Sequence, residues 1–319
     1  MKRASGLIAL CVFAAVVALA LPAAGREGLP GYGGWKLCKA CHQKTHEKIV
    51  SAFPSTAHAS ALWAVSDQND QNKLLGDFAA NPGFTLKDVA WVLGKGVRAQ
   101  SYLDASFNAL PQEWNAADKK WQPGQLGDAK QSCLGCHTTG YDASTAQWSD
   151  AGVTCEACHG PGANHAKSSD KLATIVRPGQ LPADRRAMIC GHCHSRGKNL
   201  DGLALAPAFV PGQDLAAQFT LDAETALGAR NSQYNDLVRG KHLGAGVTCT
   251  DCHDPHGATG LKSQLLKPAD ELCLGCHPAD KLTGAQHTPP KDCIRCHMPK
   301  GSHRFEAPQA VPPAGGAGA

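Results

Sequence analysis

One five-residue motif, Cys-Xaa-Xaa-Cys-His, occurs seven times in the 319-residue chain and accounts for 14 of its 15 cysteines. Only 15 residues are histidine, so the chance that one follows all seven cysteine pairs is on the order of 10^-9. The five-residue unit, rather than the cysteine pair, is therefore the meaningful pattern. In chain order the motifs, numbered 1 to 7 below, are Cys38–His42, Cys133–His137, Cys155–His159, Cys190–His194, Cys249–His253, Cys273–His277 and Cys293–His297.

Paired cysteines have three common uses in an exported protein: disulfides, structural zinc sites and covalent c-type haem attachment. Neither disulfides nor zinc requires a histidine directly after each pair. Haem attachment does, because two thioethers tether the porphyrin and the adjacent histidine binds the iron as proximal ligand. The sequence therefore predicts seven covalent haems. Their thioether cysteines are Cys38, Cys41, Cys133, Cys136, Cys155, Cys158, Cys190, Cys193, Cys249, Cys252, Cys273, Cys276, Cys293 and Cys296, and their proximal ligands are His42, His137, His159, His194, His253, His277 and His297.

The second axial ligand of each iron is predicted by counting. Only Met188 and Met298 remain once Met1 leaves with the leader, so methionine ligation cannot be general. Eight histidines lie outside the proximal positions, and His192 is excluded because it lies between the two cysteines of motif 4. His46, one helical turn beyond His42, should reach a different haem or none. The predicted distal ligands are His46, His58, His165, His242, His256, His287 and His303.

Composition limits the class of fold. A chain that is 43% hydrophobic and 18% charged is too apolar to be disordered. Its one long apolar run lies at the extreme N-terminus, which excludes a polytopic membrane protein. Aromatic residues are only 6%, while glycine and proline number 34 and 20, so seven porphyrins would have to supply much of the core. We expect a mainly α fold with extensive loops, organised around haems, with a small β-hairpin module near residues 85–122.

Five regions are predicted along the chain. Residues 1–25 are typical of a cleaved signal peptide, with a basic start, an apolar run and small residues at Ala23 and Gly25; an uncleaved membrane anchor is the alternative. A first haem segment spans 26–60, a tryptophan-rich β module without haem spans 61–130, and a six-haem region spans 131–304. The tail, 305–319, is rich in proline, glycine and alanine and is predicted to be disordered. The protein should therefore be periplasmic or extracellular.

The tryptophan-rich module contains Trp63, Trp91, Trp114 and Trp121, four of the chain's six tryptophans. Val89–Leu93 and Val97–Leu103, joined by Gly94-Lys95-Gly96, predict a β-hairpin, with a third strand near Ala109–Trp114. The glycines do not match a phosphate-binding loop. We expect the tryptophans to form a small core beside the first haem, with a docking surface for a redox partner as the alternative. Two helices are expected farther along, over Asp214–Leu227 and over Ser232–Arg239 before His242.

Two stretches resemble known multihaem cytochromes c. The sequence GVTCEACHGPGANH (Gly152–His165), with the N-terminal CKACH and His58, resembles the family of the tetrahaem electron carrier that serves hydroxylamine oxidoreductase. The sequence CTDCHDPHG (Cys249–Gly257), continued to Cys273, resembles the doubled CxxCH motif of electron-transfer proteins. These resemblances imply bis-histidine haems packed in parallel and perpendicular pairs, with His58, His165, His242 and His256 at the usual distal positions. They support electron transfer without identifying a donor.

The leading functional prediction is a periplasmic or extracellular heptahaem carrier that passes electrons through low-potential bis-histidine haems. Its partners would be redox proteins, with a membrane-associated quinol-oxidising complex or an outer-membrane cytochrome complex as candidates. A reductase of a small nitrogen oxyanion or hydroxylamine, with one five-coordinate haem, is the alternative, although no motif ends in the lysine that often marks such a haem. A conductive filament subunit is a third class. Nucleic-acid binding lacks support, because the formal charge is only +4 and no recognition motif is present.

Overall fold

The computed structural model describes residues 29–306, apart from 67, 81–82, 125–127, 205–208, 283–286 and 288–289. The predicted signal peptide (1–25) and most of the predicted tail lie outside these residues. About 38% of the residues are helical and 15% are in strands, so the expected mainly α fold holds only in a loose sense. None of the helices that the structure describes is long and apolar enough to cross a membrane.

Most helices are short and lie next to a CxxCH motif. The longest, α1, spans Gly34–Thr45 and encloses motif 1, and α8 (Ala183–Gly191) ends just after the first cysteine of motif 4. Short helices are expected here, because the glycine- and proline-rich connections end each one after a few turns. The other helices are α2 (Glu47–Ala52), α3 (Gln68–Gln71), α4 (Ala129–Ser132), α5 (Leu134–His137), α6 (Cys155–His159), α7 (Ala163–Lys167), α8 (Ala183–Gly191), α9 (Gln233–Arg239), α10 (Lys241–Gly244), α11 (Ala269–Cys276) and α12 (Cys293–His297).

A five-stranded antiparallel meander forms the largest sheet, in the order β1-β2-β3-β4-β5. Its strands are β1 (Leu62–Ala64), β2 (Trp91–Leu93), β3 (Ala99–Leu103), β4 (Ala109–Asn115) and β5 (Lys120–Pro123). The pairing of β2 with β3 and of β3 with β4 confirms the predicted hairpin and third strand. Gly94 and Gly96 in the connecting turn have positive φ angles of 86° and 81°, which favour glycine.

The two faces of this sheet contact different cores. On one face Phe84, Val92 and Tyr102 pack with Trp114 and Trp121. On the other, Leu62, Leu93 and Leu103 pack against Trp148 and Leu134. Since Leu134 lies inside motif 2, the sheet shares its core with that motif. The sequence had predicted a core beside motif 1 instead. Independent folding of 61–130 stays a prediction.

Two short two-stranded sheets complete the strand inventory of the described ranges. They pair β6 (Thr138–Thr139) with β7 (Asp150–Ala151), and β8 (Gly197–Asn199) with β9 (Phe219–Leu221). The helix expected over Asp214–Leu227 is wrong. Asp214 caps only a single 3-10 turn, Leu215–Ala217, and the chain then pairs as β9, because Phe219 gains burial in a core with Tyr234 and Leu237. The expected helix before His242 is confirmed as α9.

Candidate haem sites

Each CxxCH motif lies in a helical turn. Four of the motif histidines, in motifs 2, 4, 5 and 6, donate their backbone N–H to the carbonyl of the first cysteine four residues earlier, at 2.8–3.1 Å. Residues three and four apart share a helix face, so the two cysteines and the histidine of a motif project to the same side. This is the arrangement that two thioethers and a proximal iron ligand require.

Six of the seven motif histidines face a second imidazole at nearly constant spacing. The ring centroids of these six imidazole pairs are 6.1–6.3 Å apart. The pairs are His42 with His165, His159 with His256, His194 with His58, His253 with His303, His277 with His242, and His297 with His287.

This spacing fits an iron held between two imidazoles. Two metal–nitrogen bonds of about 2.0 Å, plus roughly 1.1 Å from each nitrogen to its ring centre, place the centroids about 6.2 Å apart. Imidazoles in direct contact would be closer, as for His42 and His46 at 5.0 Å. The residues present therefore fit bis-histidine haem, and the fit includes both motif and non-motif histidines.

Hydrogen bonds at Nδ1 orient many of these rings. The Nδ1 atoms of His137 and His159 lie 2.8 and 2.9 Å from the carbonyls of Ala61 and Val176. Those of His253, His165 and His303 make the same kind of bond to the carbonyls of Ser263, Lys171 and Gly301. An Nδ1–H that donates to a carbonyl leaves Nε2 unprotonated for a metal, which is the usual outer-shell arrangement for ligating histidines.

Burial also keeps these rings neutral. Burial lowers the pKa of His194 to about 4, and the neighbouring His58 adds to the effect. Burial likewise lowers the pKa values of His137, His58 and His159. A neutral imidazole is the form that ligates iron, so the environment favours ligation over protonation.

The facing histidines come from other segments of the chain. His165, on α7 beyond motif 3, faces motif 1, while His256, just beyond motif 5, faces motif 3. The Gly160 turn, with φ of 76°, redirects the chain between motif 3 and α7. The Asp254 carboxylate accepts the backbone N–H groups of His256 and Thr259, which fixes the DPH turn. The motifs are thus interlocked through one another's histidines.

Sulfur contacts give the order in which the motifs adjoin. Sulfur atoms of different motifs lie close together: Cys38 and Cys155, Cys136 and Cys193, Cys190 and Cys249, and Cys273 and Cys293. Cys158 is also near Cys190, and Cys252 is near Cys273. The motifs therefore form a row in the order 1, 3, 4, 5, 6, 7, hereafter the row, with motif 2 attached beside motif 4.

His46 lies beside His42 and not across from a motif histidine. Its Nδ1 is 3.1 Å from Nδ1 of His42 and 2.9 Å from the hydroxyl of Thr45. The two rings are 5.0 Å apart at 64°, which leaves no space for an iron between them. The sequence predicted His46 as a distal ligand. The structure instead places it on the outer side of His42, because position i+4 of the same helical segment cannot cross to the far side of its own haem.

His137 of motif 2 faces no second imidazole among the described residues, which include all 15 histidines. It is hydrogen-bonded at Nδ1 to Ala61, in the same way as the paired histidines. His192, excluded at the sequence level, packs on Phe209 with ring centroids 4.9 Å apart. The six pairs support six of the seven predicted distal histidines, and the ligand assignments themselves stay proposals.

The described part of the chain shows neither of the two other uses of paired cysteines, disulfides and structural zinc sites. None of the 14 motif cysteines is in a disulfide. No three His, Cys, Asp or Glu side chains among the described residues converge as a bare metal site would require.

Sequence reasoning missed the residues that support the ligands. Asp236, which is 1% exposed, accepts hydrogen bonds from the Ser302 hydroxyl, the His303 backbone N–H and the Arg304 guanidinium. Glu156, 2% exposed, accepts the backbone N–H groups of Gly33, Gly34 and Gly162. No local pattern around either acid marks it, because most of its partners lie far away in the chain.

Two family models match parts of the chain. Residues 99–160 match the model described as cytochrome c554 and c-prime, and residues 242–282 match the doubled CXXCH motif. The first stretch contains motifs 2 and 3, and the second contains motifs 5 and 6.

Individual proteins add longer matches. The chain is 28% identical to the multiheme cytochrome MtrA of Shewanella baltica (strain OS185), over 59% of this chain and 68% of that protein. Its fold is similar to the crystal structure of the outer cell wall cytochrome OcwA, with a TM-score of 0.71, 22% identity and coverage of 86% and 80% of the two chains. An undecaheme cytochrome from the S-layer of Carboxydothermus ferrireducens gives a TM-score of 0.55 at 21% identity, over 86% of this chain and 52% of that one.

Proposed function

Because the chain is a multihaem cytochrome c, we propose that it is a heptahaem electron carrier in which paired histidines hold six of the irons in a continuous row. The observation that carries this proposal is the set of six imidazole pairs at 6.1–6.3 Å. A carrier needs sites that exchange electrons without changing their ligands, and an imidazole on each side of the iron meets that need.

When bound, c-type haem supplies an iron that alternates between the ferric and ferrous states. The chain's residues set the conditions for that exchange. Histidine on both sides, in place of methionine, favours low potentials. Backbone carbonyls such as those of Val176 and Ser263 hold the rings in one orientation through Nδ1, which keeps the ligand geometry the same in both oxidation states.

The order of the row supports transfer over its whole length. Motifs that are neighbours in the row have cysteine sulfurs close to one another, which would anchor adjacent porphyrins close together. Electron tunnelling falls off exponentially with distance, so a row without gaps favours transfer from one end to the other. Motif 1 and motif 7 form the two ends, and neither Cys41 nor Cys296 is buried.

We propose an exported location, periplasmic or extracellular. The predicted signal peptide supports it, as do relatives described as an outer cell wall cytochrome and an S-layer cytochrome. The partners would then be redox proteins of the same compartment, with a quinol-oxidising membrane complex or an outer-membrane cytochrome complex as the candidates derived from the sequence.

The carrier proposal is tested by counting electrons in the holoprotein. Haem analysis should give seven haems per chain, and a redox titration should remove seven electrons over a broad, low range. Mixing the reduced protein with oxidised azurin, a protein-sized acceptor that cannot enter the interior, should oxidise every haem. A fraction of haem that stays reduced in this experiment would contradict a continuous path.

A second function is favoured by one observation, the absence of an imidazole opposite His137 among the described residues. An iron held by His137 alone is five-coordinate and is open to a small external ligand, as a reductase of nitrite or hydroxylamine requires. The test is turnover of these two compounds by the reduced protein, with His137→Ala as comparison. Oxidation no faster than that caused by free haem would remove this candidate.

A further inference from the structure

The surface of α1 and α2 is strongly basic at one end of the row. Lys36, Lys39, Lys44 and Lys48 are all exposed. None of the four forms an ion pair with another described residue. We call these four side chains, with the exposed Leu37 between them, the lysine face. They lie within ten residues of Cys38 and Cys41 of motif 1.

The acidic side chains near this surface do not neutralise it. Glu47 is the one exposed acid in the stretch 34–52. The two acids that contact α1 from elsewhere are Glu156 and Asp150, and both are turned toward backbone N–H groups at the helix start, at 2.8–2.9 Å. Glu156 is 2% exposed. The lysine face therefore presents positive charge outward, while its nearest carboxylates are occupied inside.

The other end of the row carries no such imbalance. The stretch 267–306 around motifs 6 and 7 contains six Lys or Arg and five Asp or Glu residues. Some of these acids engage local groups, as Asp270 does by accepting the backbone N–H groups of Asp292 and Cys293. The two ends of the row thus differ in electrostatic character, and the motif 1 end carries the larger excess of positive charge.

An apolar centre with a charged rim is the composition of a transient protein interface. Leu37 is 37% exposed, and on α1 it is four residues from Cys41, so both lie on one face of the helix. Basic rims raise association rates with acidic partners and leave the complex short-lived. A carrier that must bind and release its partner in each transfer requires that combination.

We propose that the lysine face is the docking surface for an acidic redox protein that exchanges electrons with the carrier at motif 1. This proposal rests on the carrier function above. The partner would present carboxylates around an exposed redox centre, and its binding would weaken as salt screens the charges.

The test uses a reduced plant-type ferredoxin as an acidic probe and follows haem reduction in the holoprotein by stopped flow. The variant carries Lys36→Gln, Lys39→Gln and Lys44→Gln. The matched control carries Lys87→Gln, Lys119→Gln and Lys120→Gln, three exposed lysines of the sheet region with no ion pair in the described structure. Both variants lose the same total charge.

At low ionic strength the lysine-face variant should be reduced about five- to ten-fold more slowly than the wild type, and the control should stay within about two-fold of it. The difference should disappear near 0.5 M salt. Equal slowing of both variants, or no slowing of either, would overturn the proposal.

A second reductant distinguishes a loss of partner docking from structural damage in the lysine-face variant. Photoreduced lumiflavin is small and uncharged, so it should reduce wild type and variant at the same rate. A variant that is slower with lumiflavin as well would overturn the docking role. Failure of lumiflavin to reduce the full haem content of the wild type would instead count against the carrier function itself.

Discussion

The Nδ1 atoms of His42 and His46 lie 3.1 Å apart, which makes His46 the hydrogen-bond partner of a motif histidine. If His42 donates through Nδ1, its Nε2 is free to face His165 across the haem position of motif 1. A hydrogen bond donated by the outer N–H makes an imidazole a stronger electron donor to iron and lowers the potential of that iron.

Replacing His46 with alanine should therefore raise the potential of the motif 1 haem without changing its spin state. A hydrogen bond that is about 1 kcal/mol stronger in the ferric than in the ferrous state corresponds to about 40 mV for one electron. His46→Gln, which keeps an acceptor, should recover most of the shift. Potentials are measured by spectroelectrochemistry. A new high-spin haem in His46→Ala would show that His46 is a ligand, as the sequence predicted.

Replacing His303 with alanine should create an open coordination position at a second iron, in addition to the one at motif 2. His303 faces His253 at 6.2 Å, so its loss would leave the motif 5 haem with one protein ligand. Carbon monoxide titration of the reduced holoprotein should rise from about one equivalent to about two. His192→Ala is the control, since the His192 ring packs on Phe209, and its titration should match the wild type. An unchanged titration in His303→Ala would contradict the pairing.

Replacing Asp236 with alanine should destabilise the C-terminal segment. Asp236 and Arg304 form an ion pair at 3.1 Å, and the aspartate side chain is 1% exposed. Removing one partner of a buried pair costs about 3–5 kcal/mol, and the segment that carries His303 loses two further hydrogen bonds. Guanidinium unfolding of the holoprotein measures the loss.

The matched control for Asp236 is Asp280→Ala. The pair of Asp280 with Lys281 is exposed, with side chains 72% and 77% accessible, and its atoms are 3.7 Å apart. Exposed pairs contribute at most about 1 kcal/mol. Equal destabilisation by the two substitutions would show that Asp236 has no special role.

Replacing Glu156 with glutamine should loosen the start of α1. The carboxylate accepts three backbone N–H groups at 2.6–2.8 Å, and glutamine offers one acceptor oxygen in place of two. We expect a loss of about 2–4 kcal/mol, since hydrogen bonds to a charged acceptor contribute about 1.5–3 kcal/mol each. Glu47→Gln on the exposed surface of α2 is the control and should change the unfolding free energy by less than about 0.5 kcal/mol.

The elements that the sequence predicted well are those determined locally. Within each motif, helical periodicity alone places cysteines and histidine on one face. The β2–β3 hairpin follows from alternating apolar residues around Gly94 and Gly96. By contrast, Asp214–Leu227 has acceptable helix propensity, yet burial of Phe219 beside Tyr234 favours a strand, and that contact joins residues distant in sequence.

The pairing of histidines could not be derived from the sequence for the same reason. His287 faces His297 of motif 7, which is 10 residues away, whereas His165 faces His42 across 123 residues. Counting gave eight candidates for seven positions but could not show which ring lies opposite which. It also could not show that motif 2 stands beside the row while the six paired motifs lie within it.

The net charge of the chain does not reveal the lysine face. Four lysines at 36, 39, 44 and 48 are unremarkable in a chain of 31 basic residues. Their effect depends on α1 having no buried residue and on Glu156 being turned inward.

The spin state of each iron in the oxidised holoprotein, measured by EPR with quantified signals, tests the pairing of the histidines. Six imidazole pairs and an unpaired His137 predict six low-spin bis-histidine haems and one high-spin haem per chain. A changed high-spin signal in His137→Ala, with the six low-spin signals unchanged, would assign it to motif 2. Two or more high-spin haems in the wild type, or a low-spin signal from methionine ligation, would contradict the row of paired histidines.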